Sequence, residues 1–536
     1  MMRASKIYPL SRQAALTRAP MIAHRSGVHT IASAADPGAP TIAIPRDGGQ
    51  AGDRDYRTGL SPVREAVISS HFMDGIAGDA TLAPYDPETL IAQSWTIDDA
   101  TIDRILLPIL IDAARRFAAD RAVAAVERAG RHRASYGLSD GAAIGVAEVV
   151  AELMFDRQLS RKAAATCSRR ATRDRIAARL ARGGTLCLAI PALPFKIGSP
   201  MKARGDLPDL GEVGFLLALF EIAIAAEIAA RHVGAEPVAI RFVVISDGAR
   251  FARLAQVPAA SIARYRDALD DWIVRLGLSE HVEIMDYHAL LRDCLPAPLL
   301  AEKHARADAA RRHYTEILGP VFDPGEMRRT FAVARRLEPD PERENAEGRF
   351  ASLLRSLVYT IEYRALAALA LPDDIRAPLY RLMTSTIFVP RGDAHEPLRR
   401  AMLAEAWQAA IDYMAEIKSD RDLAEDPVLV CLPGAIRWTI HAKAGQFAIA
   451  ASSVGGAIVQ PWAGSAVFRR VEKGAIRLCA YPVLGLEGAQ AVPVFGPARG
   501  EAPPQPLFYV DRSIACADIG AFLAELDRSL TRRRLK

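Results

Sequence analysis

The chain has 536 residues, 50% of them hydrophobic and 24% charged, a globular composition with room for two or three domain-sized units. Its 68 basic and 63 acidic residues leave a net charge of only +5, so charge gives no reason to expect a nucleic-acid partner. The six cysteines are scattered without a CxxC pair, which excludes zinc-finger spacing and a dense disulfide framework and points to a reducing compartment.

The first 35 residues hold five Arg or Lys and no acid. A disordered tail and a mitochondrial transit peptide both fit that pattern; the tail is preferred, so a cytoplasmic location is expected. Residues 1–85, rich in Gly, Pro, Ala and Asp, read as a disordered or loosely attached extension. A helical region is expected over 86–180. Ile102–Ala129 has apolar residues at three- and four-residue spacing, with Pro108 marking an early turn or kink. Further helices are predicted over 141–156 and 161–182, the second with a solvated, Arg-rich face.

Three short apolar runs follow, at 185–190, 238–245 and 282–285. Two long segments with helical spacing separate them, so 181–300 reads as strand–helix–strand–helix–strand, the pattern of a parallel α/β sheet covered by helices. The more apolar helix, 213–230, carries Glu221 and Glu227, and no apolar run approaches the ~18 residues of a bilayer span, so no membrane partner is expected. Residues 301–425 read as a helical insertion with a charged break at 338–348. The second half of the core, 426–536, begins with strands at 428–432, 436–441 and 447–452. Further β segments continue to about 510, and an amphipathic helix covers 519–530.

There is no GxGxxG, Walker loop, HExxH or GxSxG. What remains is polar residues at strand ends, where open α/β sheets bind ligands. Lys196 follows the first strand and suits a phosphate, or an imine if burial depressed its pKa. Asp247 ends the second strand before Gly248, and suits an ammonium group, a base or a helix cap. Asp209 and Glu212 read equally as a carboxylate pair and as capping of the long helix. On a strand over 436–441, Arg437, Thr439 and His441 share one face, suited to an anionic group, with Lys443 just beyond. Two cations and an acid fit a small anionic substrate that bears an amine.

Six segments in order, PALPFK (191–196), GDLPDLGE (205–212), ISDGARF (245–251), RYRDAL within 257–269, PGAIRWTIHAK (433–443) and QPWAG (460–464), resemble the isocyanide (isonitrile) synthase family of pyoverdine/paerucumarin and dityrosine biosynthesis. The resemblance covers roughly 180–295 and 400–470. It implies a Rossmann-like, mostly parallel sheet flanked by helices, here with large helical additions. It also implies a reaction in which the α-amine of L-tyrosine or L-tryptophan takes one carbon from ribulose 5-phosphate and becomes an isocyanide, with no metal or organic cofactor. A separate iron/2-oxoglutarate oxygenase often acts on such a product; the dityrosine branch makes an N-formyl tyrosine instead.

On that resemblance Asp247 and His441 are expected to do acid/base work, with Glu212 in reserve. Lys196, Arg437 and Lys443 are expected to hold the phosphate, and Phe195, Ser246 and Trp462 complete the binding set. Three departures stand out. The family's P-W-H-G histidine is Ala463 here, its P-F-K-S-P-N loop is PFKIGSP, and its R-L-S-I-H segment is Arg437-Trp438-Thr439-Ile440-His441. The first leaves open a catalytically impaired homologue that works as a binding protein.

Overall fold

The computed structural model of the chain describes residues 22–25, 28–31, 42–45, 94–156, 160–161, 167–183, 185–196, 203, 205–252, 257, 259–318, 408, 411–439, 447–449, 460–470, 474–481, 491–497 and 505–531. They fall into two compact units. One comprises 1–87, 251–257 and 296–426, the other 88–250, 258–295 and 427–536. In the first unit, β1 (Ile22–Arg25), β2 (Val28–Ile31) and β3 (Ile42–Pro45) form an antiparallel sheet in that order, within the extension read from sequence as disordered.

The second unit begins with β4 (Trp95–Thr96) and a wide π-type turn over Ile102–Leu106. That turn runs directly into α1 (Leu107–Arg131), so Pro108 lies within one continuous helical run, and the wide turn stands just before the place where its missing N–H interrupts the hydrogen-bond ladder. α2 (Val146–Met154) and α3 (Arg169–Leu180) follow. The second predicted helix of this region therefore starts at Arg169, capped by Ser168, rather than at 161; Ser160–Arg161 is β5, a short strand. Nor is α3's basic face merely solvated. Arg169 binds Glu152 of α2 at 2.7 Å, and Arg173 binds Glu148 at 3.1 Å.

The strands of the α/β core match the sequence reading to within two residues, and its long helix to within three. β6 (Leu186–Pro191), β7 (Ile240–Ser246) and β8 (Val282–Asp286) pair in parallel, and α4 (Leu210–His232) connects the first two. After β7 come α5 (Gly248–Ala252) and α6 (Ala259–Arg275), and after β8, α7 (Tyr287–Cys294). α8 (Ala297–Leu318) belongs to the first unit with a helix over 411–422; Lys303 of α8 binds Glu416 at 2.9 Å. The rest of the predicted insertion, with its charged break, lies outside the described residues. The strand predicted over 428–432 is instead α9 (Pro427–Cys431): Pro427 takes the first helical position, where its fixed φ favours a turn. β9 (Ile436–Thr439) and β10 (Phe447–Ile449) then complete a six-stranded sheet ordered β5-β10-β9-β6-β7-β8, parallel except at β5.

A second sheet, absent from the sequence reading as a separate layer, contains β11 (Ser465–Arg470), β12 (Ile476–Tyr481), β13 (Ala491–Phe495) and β14 (Pro506–Asp511). Its order is β12-β11-β14-β13-β4, and α10 (Ile519–Thr531) packs on β12. α4 packs against strands of both sheets and, along its length, against α1. That accounts for its composition: a helix covered on every side is apolar on every side. By length and composition α4 also qualifies as a membrane span, contrary to the sequence expectation, but most of it is buried inside the protein. Both helices bury several alanines, among them Ala118, Ala122 and Ala125 of α1 and Ala226, Ala229 and Ala230 of α4.

Candidate active site

β6 and β7 are parallel neighbours, so their carboxyl ends lie side by side. The two segments that follow them lock together there. The Ala192 N–H donates to the Ile245 carbonyl at 3.2 Å, and the Ser246 hydroxyl donates to the Leu193 carbonyl at 3.0 Å. Leu193 has φ +54°, a left-handed conformation that costs on the order of 1–3 kcal/mol and persists only when neighbours impose it. Gly248 is required at this contact. A Cβ there would stand 1.9 Å from the Pro194 carbonyl oxygen. PALPFK and ISDG are thus two halves of one packed turn, and its product is the placement of Lys196.

Lys196 is buried and points at the amino end of α4. Its Nζ lies 2.8 Å from Asp209 Oδ2 and 2.9 Å from Glu212 Oε2. Asp209 is the N-cap of α4: its Oδ1 accepts from the Gly211 N–H at 2.7 Å, and its Oδ2 also accepts from the Ala466 N–H at 3.1 Å. Glu212 closes the capping box, with Oε2 accepting from the Asp209 N–H at 2.9 Å, while Oε1 accepts from the Tyr265 hydroxyl at 3.2 Å. The capping and carboxylate-pair readings of Asp209 and Glu212 therefore hold together. The Gln505 side chain makes two hydrogen bonds to the Leu207 backbone, at 3.1 and 2.9 Å, and clasps the loop before α4.

One ammonium faces two carboxyls in a dry site, so both carboxyls cannot ionise cheaply. Burial pushes Glu212 up to about 8, against the pull of Lys196. Burial alone would lower Lys196, but Asp209 and Glu212 overcome it and hold the ammonium above its usual range. This removes the imine reading of Lys196, which needs a depressed pKa and a free amine. The ammonium is also already engaged by two carboxyls, so Lys196 is not an open phosphate ligand. Burial, with Glu212 beside it, holds the Tyr265 phenol well above the ordinary range. The result is a fixed cation, an anion and an acid that can exchange its proton near neutral pH.

The other expected residues divide. Ser246 is buried and holds the Leu193 loop; Asp247 and Phe195 are half-buried at the same carboxyl edge. Trp462 packs edge-on against Phe215 of α4, 5.9 Å between ring centres, and Pro461 adjoins Gly211. The QPWAG segment thus sits over the first turn of α4, with Ala463 half-buried within it. Arg437 is not part of this cluster. It lies mid-strand, level with Ala189, and alternates with the core residues Ile436 and Trp438, so it projects from the sheet's other face. His441 and Lys443 lie outside the described residues.

Gln505 escaped the sequence reading, and Tyr265, though it lies within the RYRDAL segment, was given no role there. Tyr265 shares an apolar helix face with Leu269 and Trp272 and reads as core; Gln505 sits in a Pro-rich stretch with no pattern. Among the described residues no three His, Cys, Asp or Glu side chains converge as a metal site requires.

The sequence profile of the family described as Pyoverdine/dityrosine biosynthesis protein matches residues 176–335, less than a third of the chain. No curated protein matches. Among solved structures, the PvcA protein from Pseudomonas aeruginosa is similar at 20% identity and a TM-score of 0.37, over 63% of this chain and 90% of that one. Lys196, Asp209, Glu212, Asp247 and Tyr265 all fall within the matched segment, and over that segment the chain matches the pyoverdine/dityrosine biosynthesis family.

Proposed function

We propose that the chain is an isocyanide synthase-type enzyme, which converts the α-amine of an aromatic amino acid, L-tyrosine or L-tryptophan, to an isocyanide with ribulose 5-phosphate as carbon donor. The observation that carries this reading is the buried Lys196–Asp209–Glu212 cluster at the carboxyl edge of the parallel sheet, built by segments inside the family match. The family's description names pyoverdine and dityrosine biosynthesis, which supports a biosynthetic enzyme.

Attack of an amine on a ketone needs a base to free the amine and an acid to protonate the oxygen, and later steps move protons off sugar carbons. A carboxyl titrating near 8 serves either direction at neutral pH. In this scheme Lys196 stays protonated and fixes the charge of the site. Asp247 and Phe195, half-buried at the same edge, are the groups an entering substrate meets. His441 is assigned to acid/base work, and Arg437 and Lys443 to the phosphate, with Arg437 reaching it only if the phosphate lies toward the face it occupies. The reaction is assigned to the cytoplasm, ahead of an iron/2-oxoglutarate oxygenase.

The test is mass spectrometry of the purified protein with ribulose 5-phosphate and a panel of amino acids. A product equal to the amino acid plus one carbon minus two hydrogens establishes the reaction and names the substrate. Direct appearance of an N-formyl amino acid, without an isocyanide precursor, assigns the dityrosine-type reaction instead. Ala463, where the family has a histidine, supports a second reading: a binding protein without turnover. Binding of ribulose 5-phosphate with no product from any amino acid would select it, and Ala463→His then tests whether turnover returns.

A further inference from the structure

The hydrogen bonds of the cluster say where its exchangeable proton sits. Asp209 accepts from three donors that cannot reverse: the Gly211 and Ala466 backbone N–H groups and the Lys196 ammonium. Glu212 Oε2 is in the same position, between the Lys196 ammonium and the Asp209 N–H. A proton on any of these oxygens would face a donor. Glu212 Oε1 differs, because its partner is the Tyr265 hydroxyl, 3.2 Å away, and a hydroxyl both donates and accepts.

We propose that the exchangeable proton of the cluster resides on Glu212 Oε1, and that Tyr265 is the positioning residue that accommodates both states of that acid. With Glu212 protonated, Oε1 donates to the phenol oxygen. When Glu212 yields the proton to a base entering the site, the phenol O–H rotates and donates to Oε1. No other partner need move, so the ionised and neutral sites share one geometry. This deepens the reading of Glu212 as an acid/base group and rests on it. The charged and titratable groups facing Glu212 are Lys196 from the loop after β6, Asp209 from the cap of α4 and Tyr265 from α6.

The test reads the carboxyl directly. Infrared spectra of the full chain are recorded from pH 5 to 10, and the protonated-carboxyl band lost in Glu212→Gln is assigned to Glu212. That variant should fold, because an amide placed with its NH2 at Oε1 copies the protonated state. Tyr265→Phe removes a donor that favours the carboxylate. The midpoint of the assigned band should therefore rise by about one pH unit. Should Tyr265→Phe fail to fold, protein labelled with 3-fluorotyrosine carries the test. Its more acidic phenol donates more strongly, and the midpoint should fall. An unmoved midpoint, or no band lost in Glu212→Gln, overturns the proposal. The synthase assay is run beside it: a shifted midpoint without isocyanide product supports the Tyr265 assignment while removing the proposed reaction.

Discussion

At the scale of single residues, the site depends on one charge and one missing side chain. Without the Lys196 ammonium, Asp209 and Glu212 face each other in a dry interior. Removing one partner of a buried ion pair costs about 3–5 kcal/mol. Lys196→Met should therefore lower the denaturation midpoint strongly, and less so at acid pH, where the carboxyls protonate. Gly248→Ala should cost about 1–3 kcal/mol by overpacking, because the Pro194 carbonyl oxygen 1.9 Å from the new methyl is backbone and cannot swing aside. Thermal unfolding measures both. Reading the sequence singled out Lys196, Ser246 and Asp247 because they sit at strand ends, and Glu212 because it opens the long helix. It could not say that Lys196 is already paired, since its partners lie 13 and 16 positions away across a loop. RYRDAL contains Tyr265, but its spacing is that of a core residue, and its hydroxyl matters only through a contact formed on folding.

At the scale of elements, the contact of α1 with α4 carries a charge pair where its composition suggests only apolar packing. Arg121 and Glu221, both buried, form an ion pair, and Arg121 also reaches Asp156 at 3.4 Å. Glu221, an interruption of an apolar helix when read in sequence, is thus the partner that α4 offers to Arg121 of α1. Arg121→Met and Glu221→Leu should each cost about 3–5 kcal/mol, and the double variant much less than their sum, since both charges leave together. Urea unfolding of the four proteins of that cycle checks this; additive losses would mean the two side chains are not coupled. β6, α4, β7 and β8 were legible because each is a continuous run with one period, bounded by turn formers. Residues 428–432 were not: five apolar residues suit strand or helix, and Pro427 decided for helix. The second sheet was hidden for another reason. Its edge strand β4 joins β13 across some 400 positions, a pairing that no local pattern encodes.

At the scale of the whole molecule, the raised Glu212 makes folding stability depend on pH with a definite sign. Unfolded, the carboxyl titrates near 4.5; folded, burial pushes it up to about 8. Between these values the native protein holds a proton that the unfolded chain has lost, so stability falls as pH rises through the window. The contribution is fully present below about pH 4.5 and gone above about pH 8, and its size is a few kcal/mol. Lys196, held above its ordinary range, keeps its charge throughout this window and adds no slope there. Glu212→Gln should flatten the dependence between pH 5 and 8, because the amide retains the neutral geometry and cannot ionise. Urea midpoints of both proteins at half-unit steps across that range make the comparison. Equal slopes would place the proton elsewhere. A steeper loss in the native chain would mean that the carboxyl pair that organises the site also limits the alkaline stability of the fold.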